Sequence, residues 1–86
     1  MYYDIIVEGL ASALHLEKDT IREIPLDEEL TVYGFDSLAF ITLVVFLEDK
    51  LTIAVEVDEL AIENFLSIER IDSFLIGKLS NPHFDF

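Results

Sequence analysis

An all-α fold, one small helical bundle, is what this sequence predicts, and three observations predict it. The 86 residues support one compact domain with a single modest core and leave no room for a second. Hydrophobic residues make up 52% of the chain and are spread along most of its length, too many for a disordered acidic tail. Three segments read as helices, whereas one short stretch alternates like a strand and has nothing to pair with.

The first helix covers Tyr2 to His15, where Tyr3, Ile6, Val7, Leu10 and Leu14 recur at helical spacing and Asp4, Glu8 and Ser12 fall on other faces. Asp4 lies in its first turns, where the helix dipole favours negative charge. Residues 16–36 contain Pro25, Gly34 and the acidic run Asp27, Glu28, Glu29, which exclude a long helix. Leu16, Ile21, Ile24, Leu26, Leu30 and Val32 anchor this long connection along the core, with one helical turn expected near Asp19 to Glu23.

Asp36 precedes a second long helix, from about Ser37 to Lys50, and its carboxylate can accept from the unpaired N–H groups of the first turn. Gly34 gives the backbone freedom for a sharp entry. Leu38, Phe40, Ile41, Leu43, Val44, Val45, Phe46 and Leu47 occupy every face, so this helix is buried or serves a partner. Glu48 and Asp49 at its far end oppose the dipole, a small cost that a surface role would explain.

In LTIAVEVDEL, Ile53, Val55 and Val57 share one side, yet an extended connector is expected rather than a strand, followed by a short helix at about Glu59 to Asn64. Ser67 is the expected N-cap of the last helix, whose inward stripe is Ile68, Ile71, Phe74 or Leu75, and Leu79. Gly77 weakens that helix slightly, and Asn81-Pro82 ends it. Residues 1–80 form the expected domain, and 81–86, ending in HFDF, a flexible tail.

Eighteen acidic residues against five basic ones leave a formal charge of −13, which repels nucleic acid and anionic lipid and favours basic protein partners. The absence of cysteine excludes a disulfide framework, a thiolate metal site and a cysteine nucleophile. MYYDIIVEGL lacks the basic region and small-residue cleavage site of a secretory signal, and the longest apolar run, Leu43 to Leu47, cannot span a bilayer. A cytoplasmic protein is expected.

Enzymatic readings fare poorly. A serine nucleophile needs a base and an orienting group, but the histidines are His15, at the end of the first helix, and His83, in the tail. The acidic runs at Asp27 to Glu29 and Asp58 to Glu59 lack the alternating ligands and central glycine of a calcium loop. There is no glycine-rich phosphate loop, and a chain of this size seldom builds a deep pocket for paired carboxylates. Ser37 stands apart by position: at the head of a helix, beside Gly34 and Asp36, it is open to a modifying enzyme, and a phosphodiester there lies near the positive end of the dipole. On position alone, a role limited to starting the helix stays open.

Gly34-Phe35-Asp36-Ser37-Leu38, followed by an apolar helix closing in Leu47-Glu48-Asp49-Lys50-Leu51, resembles the G-x-D-S-L attachment motif of acyl and peptidyl carrier proteins. Ile53, Val55, Asp58, Glu59 and Leu60 resemble the family's connector, and Glu63-Asn64-Phe65 with Ser67-Ile68 its entry to the last helix. The resemblance covers nearly the whole chain, to about Leu79. It implies a four-helix bundle with a long first loop and a short third helix. It also implies that Ser37 receives 4'-phosphopantetheine from coenzyme A through a separate phosphopantetheinyl transferase, so that the protein is not an enzyme. The arm's thiol would hold acyl, aminoacyl or peptidyl cargo as a thioester and shuttle it among the partner enzymes, loading enzymes and synthases of fatty-acid, polyketide or nonribosomal peptide synthesis. By the same resemblance Asp36 would serve transferase recognition, and the exposed side of the second helix, Leu38, Phe40, Ile41, Val45, Glu48 and Asp49, would dock partners.

The chain departs from the family pattern in having Ala39, Phe40 and Thr42 where many fatty-acid carriers have acidic or polar residues, and Glu56 where the connector usually has proline. Phe40 near the modification site points to a partly hydrophobic docking face, though its spacing equally permits a place in the core. The expectation is a free-standing monomeric carrier; the alternative is an unmodified acidic helical module that binds a basic partner.

Overall fold

The computed structural model describes residues 2–80. Four α-helices form the bundle: α1 (Tyr3–Leu14), α2 (Lys18–Arg22), α3 (Ser37–Leu51) and α4 (Ile68–Ser80), with no strand among the described residues. The expected ends of the long helices hold to within a residue or two. The expected turn near Asp19 is α2. The short helix after the connector is instead two 3-10 turns, Val57–Glu59 and Ile62–Phe65. The end of α4 at Asn81-Pro82, His83 and the tail lie outside the described residues.

Helix α1 packs chiefly against α3. Gly9 makes that approach possible: a Cβ there would lie 2.6 Å from Leu43 Cδ1 and 2.8 Å from Phe46 Cδ2. Ile6, Val7 and Leu10 from α1, Leu43 and Leu47 from α3, and Ile68, Ile71 and Leu75 from α4 fill the core. At the start of α1 the buried Asp72 of α4 accepts a 2.8 Å hydrogen bond from the Tyr2 N–H. Tyr2 caps α1 with no side-chain bond of its own, so a carboxylate from another helix satisfies one open donor and meets the positive end of the dipole.

The long connection is fastened at its middle. Leu30 N donates to Leu66 O at 2.7 Å and Glu69 N to Leu26 O at 2.9 Å, tying the loop to the entry of α4. Ile21, Ile24 and Leu30 are buried as anchors, but Leu26 and Val32 are exposed. The Tyr33 hydroxyl donates to Glu28 at 3.0 Å, and this bond to a carboxylate holds the phenol's pKa above its ordinary value. In the connector Ile53 and Val55 pack against the core, while Val57 is 86% exposed, because the 3-10 turn beginning there ends the alternation.

Crowding a formal charge of −13 onto a bundle this small produces self-repulsion, which counterions screen. Raising ionic strength or adding divalent cations is therefore expected to raise the melting temperature; a melting temperature unchanged between low and high salt would contradict this.

Candidate functional site

The chain reaches Ser37 through three constrained residues. The 3-10 turn Leu30–Tyr33 ends at Gly34, whose φ of 92° is a left-handed conformation that costs a side-chain-bearing residue about 1–2 kcal/mol. Phe35 follows, 2% exposed, with its N–H bonded to Leu30 O at 3.2 Å. Asp36, extended and exposed, then accepts the Ala39 N–H on Oδ1 at 2.9 Å, the cap that the sequence predicts. A buried ring on one side and a capped helix on the other fix the backbone on which Ser37 stands.

Ser37 is the first residue of α3 and is exposed. Its hydroxyl makes no hydrogen bond among the described residues, whereas that of Ser67, capping α4, accepts the Arg70 N–H at 3.1 Å. The helix start therefore does not use Ser37 Oγ, since Asp36 supplies the cap. His15 is exposed, in a left-handed conformation just beyond α1, and shares a surface groove of about 400 Å³ with Asp36, Leu38 and Thr42. No hydrogen bond joins His15 to Ser37 among the described residues, so no serine–histidine pair is formed.

Loss of the Asp36 cap is expected to cost about 1 kcal/mol. In a domain this small, Asp36→Ala should lower the melting temperature by about 4–8 °C. Asp36→Asn, which caps equally well, should lower it little; equal loss in both variants would contradict the capping account.

The expected docking residues separate into groups. Leu38, Ile41 and Val45 are 75%, 48% and 56% exposed, and Asp49 is exposed at the far end of α3. Glu48 is half-buried and accepts the Val55 N–H on Oε2 at 2.9 Å, so it holds the connector against α3. That bond explains an acid placed against the dipole.

Phe40 leaves the docking set. It is 7% exposed, and its ring lies 5.1 Å from that of Phe65 and 6.5 Å from that of Phe35, with Phe74 a further 4.9 Å beyond Phe65. The spacing that left both places open resolves to the core, because tilted and edge-on aromatic contacts reward burial of a ring among rings. The sequence reading also passed over Asp72 and Gly9. Asp72 had a signal: it stands in the inward register of Ile68, Ile71 and Leu75.

The structure is thus an all-helical bundle in which an exposed serine hydroxyl stands at the head of α3. The sequence matches the family model described as phosphopantetheine attachment site over residues 4–71, from α1 into the first turn of α4, and the chain belongs to that family. No curated protein and no solved structure matches it significantly. The protein is a carrier rather than an enzyme, and its cofactor is covalently attached 4'-phosphopantetheine. A phosphopantetheinyl transferase and acyl-handling enzymes are its partners in general terms. No described helix is long and apolar enough to cross a membrane.

Proposed function

We propose that Ser37 carries the arm and that the chain is a free-standing cytoplasmic carrier for acyl, aminoacyl or peptidyl cargo in fatty-acid, polyketide or nonribosomal peptide synthesis. The observation that carries this reading is the exposed, unbonded Ser37 hydroxyl on the first residue of a helix that Asp36 caps. The residues fit the group: the hydroxyl is open to a modifying enzyme, and a phosphodiester at the N-terminal turn of α3 meets the favourable end of the dipole. When bound, the arm supplies the thiol that this cysteine-free chain lacks, on which cargo is held as a thioester.

The chain's own residues hold and present the attachment point. Phe35 anchors the entry and Asp36 Oδ1 fixes the first turn. Asp36 Oδ2, without a bond among the described residues, remains for the transferase. Leu38, Ile41, Val45 and Asp49 form the docking side of α3, and Glu48 steadies it through the connector. Residues 1–80 act as the carrier unit.

The test is intact mass after the chain has been incubated with coenzyme A and a broad-specificity transferase, then offered acyl-loading and aminoacyl-loading enzymes separately. One phosphopantetheinyl group followed by one kind of cargo is expected. Failure to gain the arm with several transferases would remove the reading.

A further inference from the structure

The lysines and arginines of this chain are engaged away from Ser37. Arg22 pairs with Asp4 at 3.5 Å and Lys78 with Glu59 at 2.9 Å. Lys50 lies over the Phe46 ring in the last turn of α3, and Arg70 donates to Glu63 O at 3.0 Å. Lys18 lines a separate groove with Glu8, Glu17 and Asp19. Among the described residues that line the groove beside Ser37, His15 alone can become cationic.

His15 stands there in a strained conformation. Its φ is 58°, a left-handed turn that glycine adopts without the strain a side chain brings. The ring is exposed and makes no hydrogen bond or ion pair among the described residues. The groove, of about 400 Å³, is walled by the end of α1, by Tyr33 and by the first turns of α3. Leu38 and Thr42, four residues apart, present one side of α3 to it. Asp36 and Leu38 both line it, so Ser37, between them, stands at its rim. Leu14 and Leu38 make parts of its wall apolar.

A phosphodiester on Ser37 adds a permanent negative charge beside Asp36, in a chain whose formal charge is already −13. A proton taken up by His15 offsets repulsion that no other side chain lining the groove relieves. Next along the arm comes a geminal dimethyl group, which matches the apolar wall. We propose that this groove is where the arm rests when no partner is bound, with a protonated His15 facing the phosphodiester and Leu14 and Leu38 holding the dimethyl segment. The proposal rests on the reading of Ser37 as the attachment residue. The other titratable groups lining the groove are Asp36 and Tyr33. Carboxylates titrate well below neutral pH, and the Tyr33 phenol, held by Glu28 above its ordinary value, titrates well above it. Glu17 and Lys18, just beyond His15, line the separate groove.

The test follows the phosphorus NMR resonance of the arm-bearing chain from about pH 5 to about pH 8, where histidine titrates and a phosphodiester does not. Wild type is compared with His15→Asn, which is neutral throughout and tolerates the left-handed turn, and with His83→Asn, which removes the chain's other histidine. Intact mass establishes the arm on each form, and circular dichroism establishes the fold. The resonance should move through one step in wild type and in His83→Asn and stay flat in His15→Asn. Nuclear Overhauser contacts should join the dimethyl protons to Leu14 and Leu38 in wild type and weaken in His15→Asn.

A flat resonance in wild type, or a step that survives in His15→Asn, would overturn the proposal. So would dimethyl contacts to Ile41 and Val45 in place of Leu14, or to no residue at all. In each of those outcomes the chain still bears its arm, so the Ser37 reading stands. No gain of mass in any form would remove that reading and this proposal with it.

Discussion

Phe40→Asp is expected to unfold most of the population at neutral pH and ambient temperature. Phe40 is 7% exposed and packs between the rings of Phe35 and Phe65. Removing a buried phenylalanine side chain costs about 3–5 kcal/mol, and placing a carboxylate with no partner in the same space adds to that. A chain of 86 residues has roughly 4–13 kcal/mol of stability in all. Thermal melts followed by circular dichroism would measure the loss, with Phe40→Leu as the milder comparison. A Phe40→Asp protein that melts within a few degrees of wild type would return Phe40 to the surface and to the docking face.

The second large effect is expected at Gly9. Gly9→Val drives side-chain atoms into Leu43 and Phe46, where even the Cβ stands 2.6 Å and 2.8 Å from the nearest atoms. Leu43 is fully buried and has little room to yield, so overpacking should cost about 1–3 kcal/mol. Replacing a glycine inside a helix returns only a few tenths of a kcal/mol when the new residue is β-branched. Denaturant melts should therefore show a net loss of about 1–2 kcal/mol. Gly9→Ala should lose less, because it relieves more of the helix cost and adds only the Cβ. A stabilised Gly9→Val would mean that α1 and α3 are further apart than described.

The sequence made the helix starts legible because capping is local. Asp36 and Ser67 precede apolar runs, and each side-chain oxygen accepts from the N–H three residues on, as the spacing requires. The inward side of α4 was legible for a related reason: its apolar residues are few and regularly spaced. The inward side of α3 was not, since an apolar residue at nearly every position leaves no periodicity to separate Phe40 from Ile41. Only the aromatic partners do so, and Phe65 and Phe74 come from elements far along the chain. Val57 misled in another way, because alternation assumes an extended backbone and a 3-10 turn begins at that residue. The Gly9 approach and the Tyr2–Asp72 bond depend on tertiary packing and on pairs distant in sequence.

At the candidate site the local part was again the readable part. Gly34, Asp36 and Ser37 fall within four residues, and their left-handed turn, cap and exposed hydroxyl follow from residue type and order. The proposed docking side required the fold. Burial removed Phe40 and gave Glu48 a second task, leaving Leu38, Ile41 and Val45 as the exposed stripe.

The central claim is that Ser37 bears the phosphopantetheinyl arm, and one comparison tests it most directly. Wild type and Ser37→Ala are incubated side by side with coenzyme A and a transferase, and their intact masses are recorded after circular dichroism has shown both to be folded. The account predicts a gain of one phosphopantetheinyl group in wild type and none in Ser37→Ala. An equal gain in both would place the arm on another residue and contradict it.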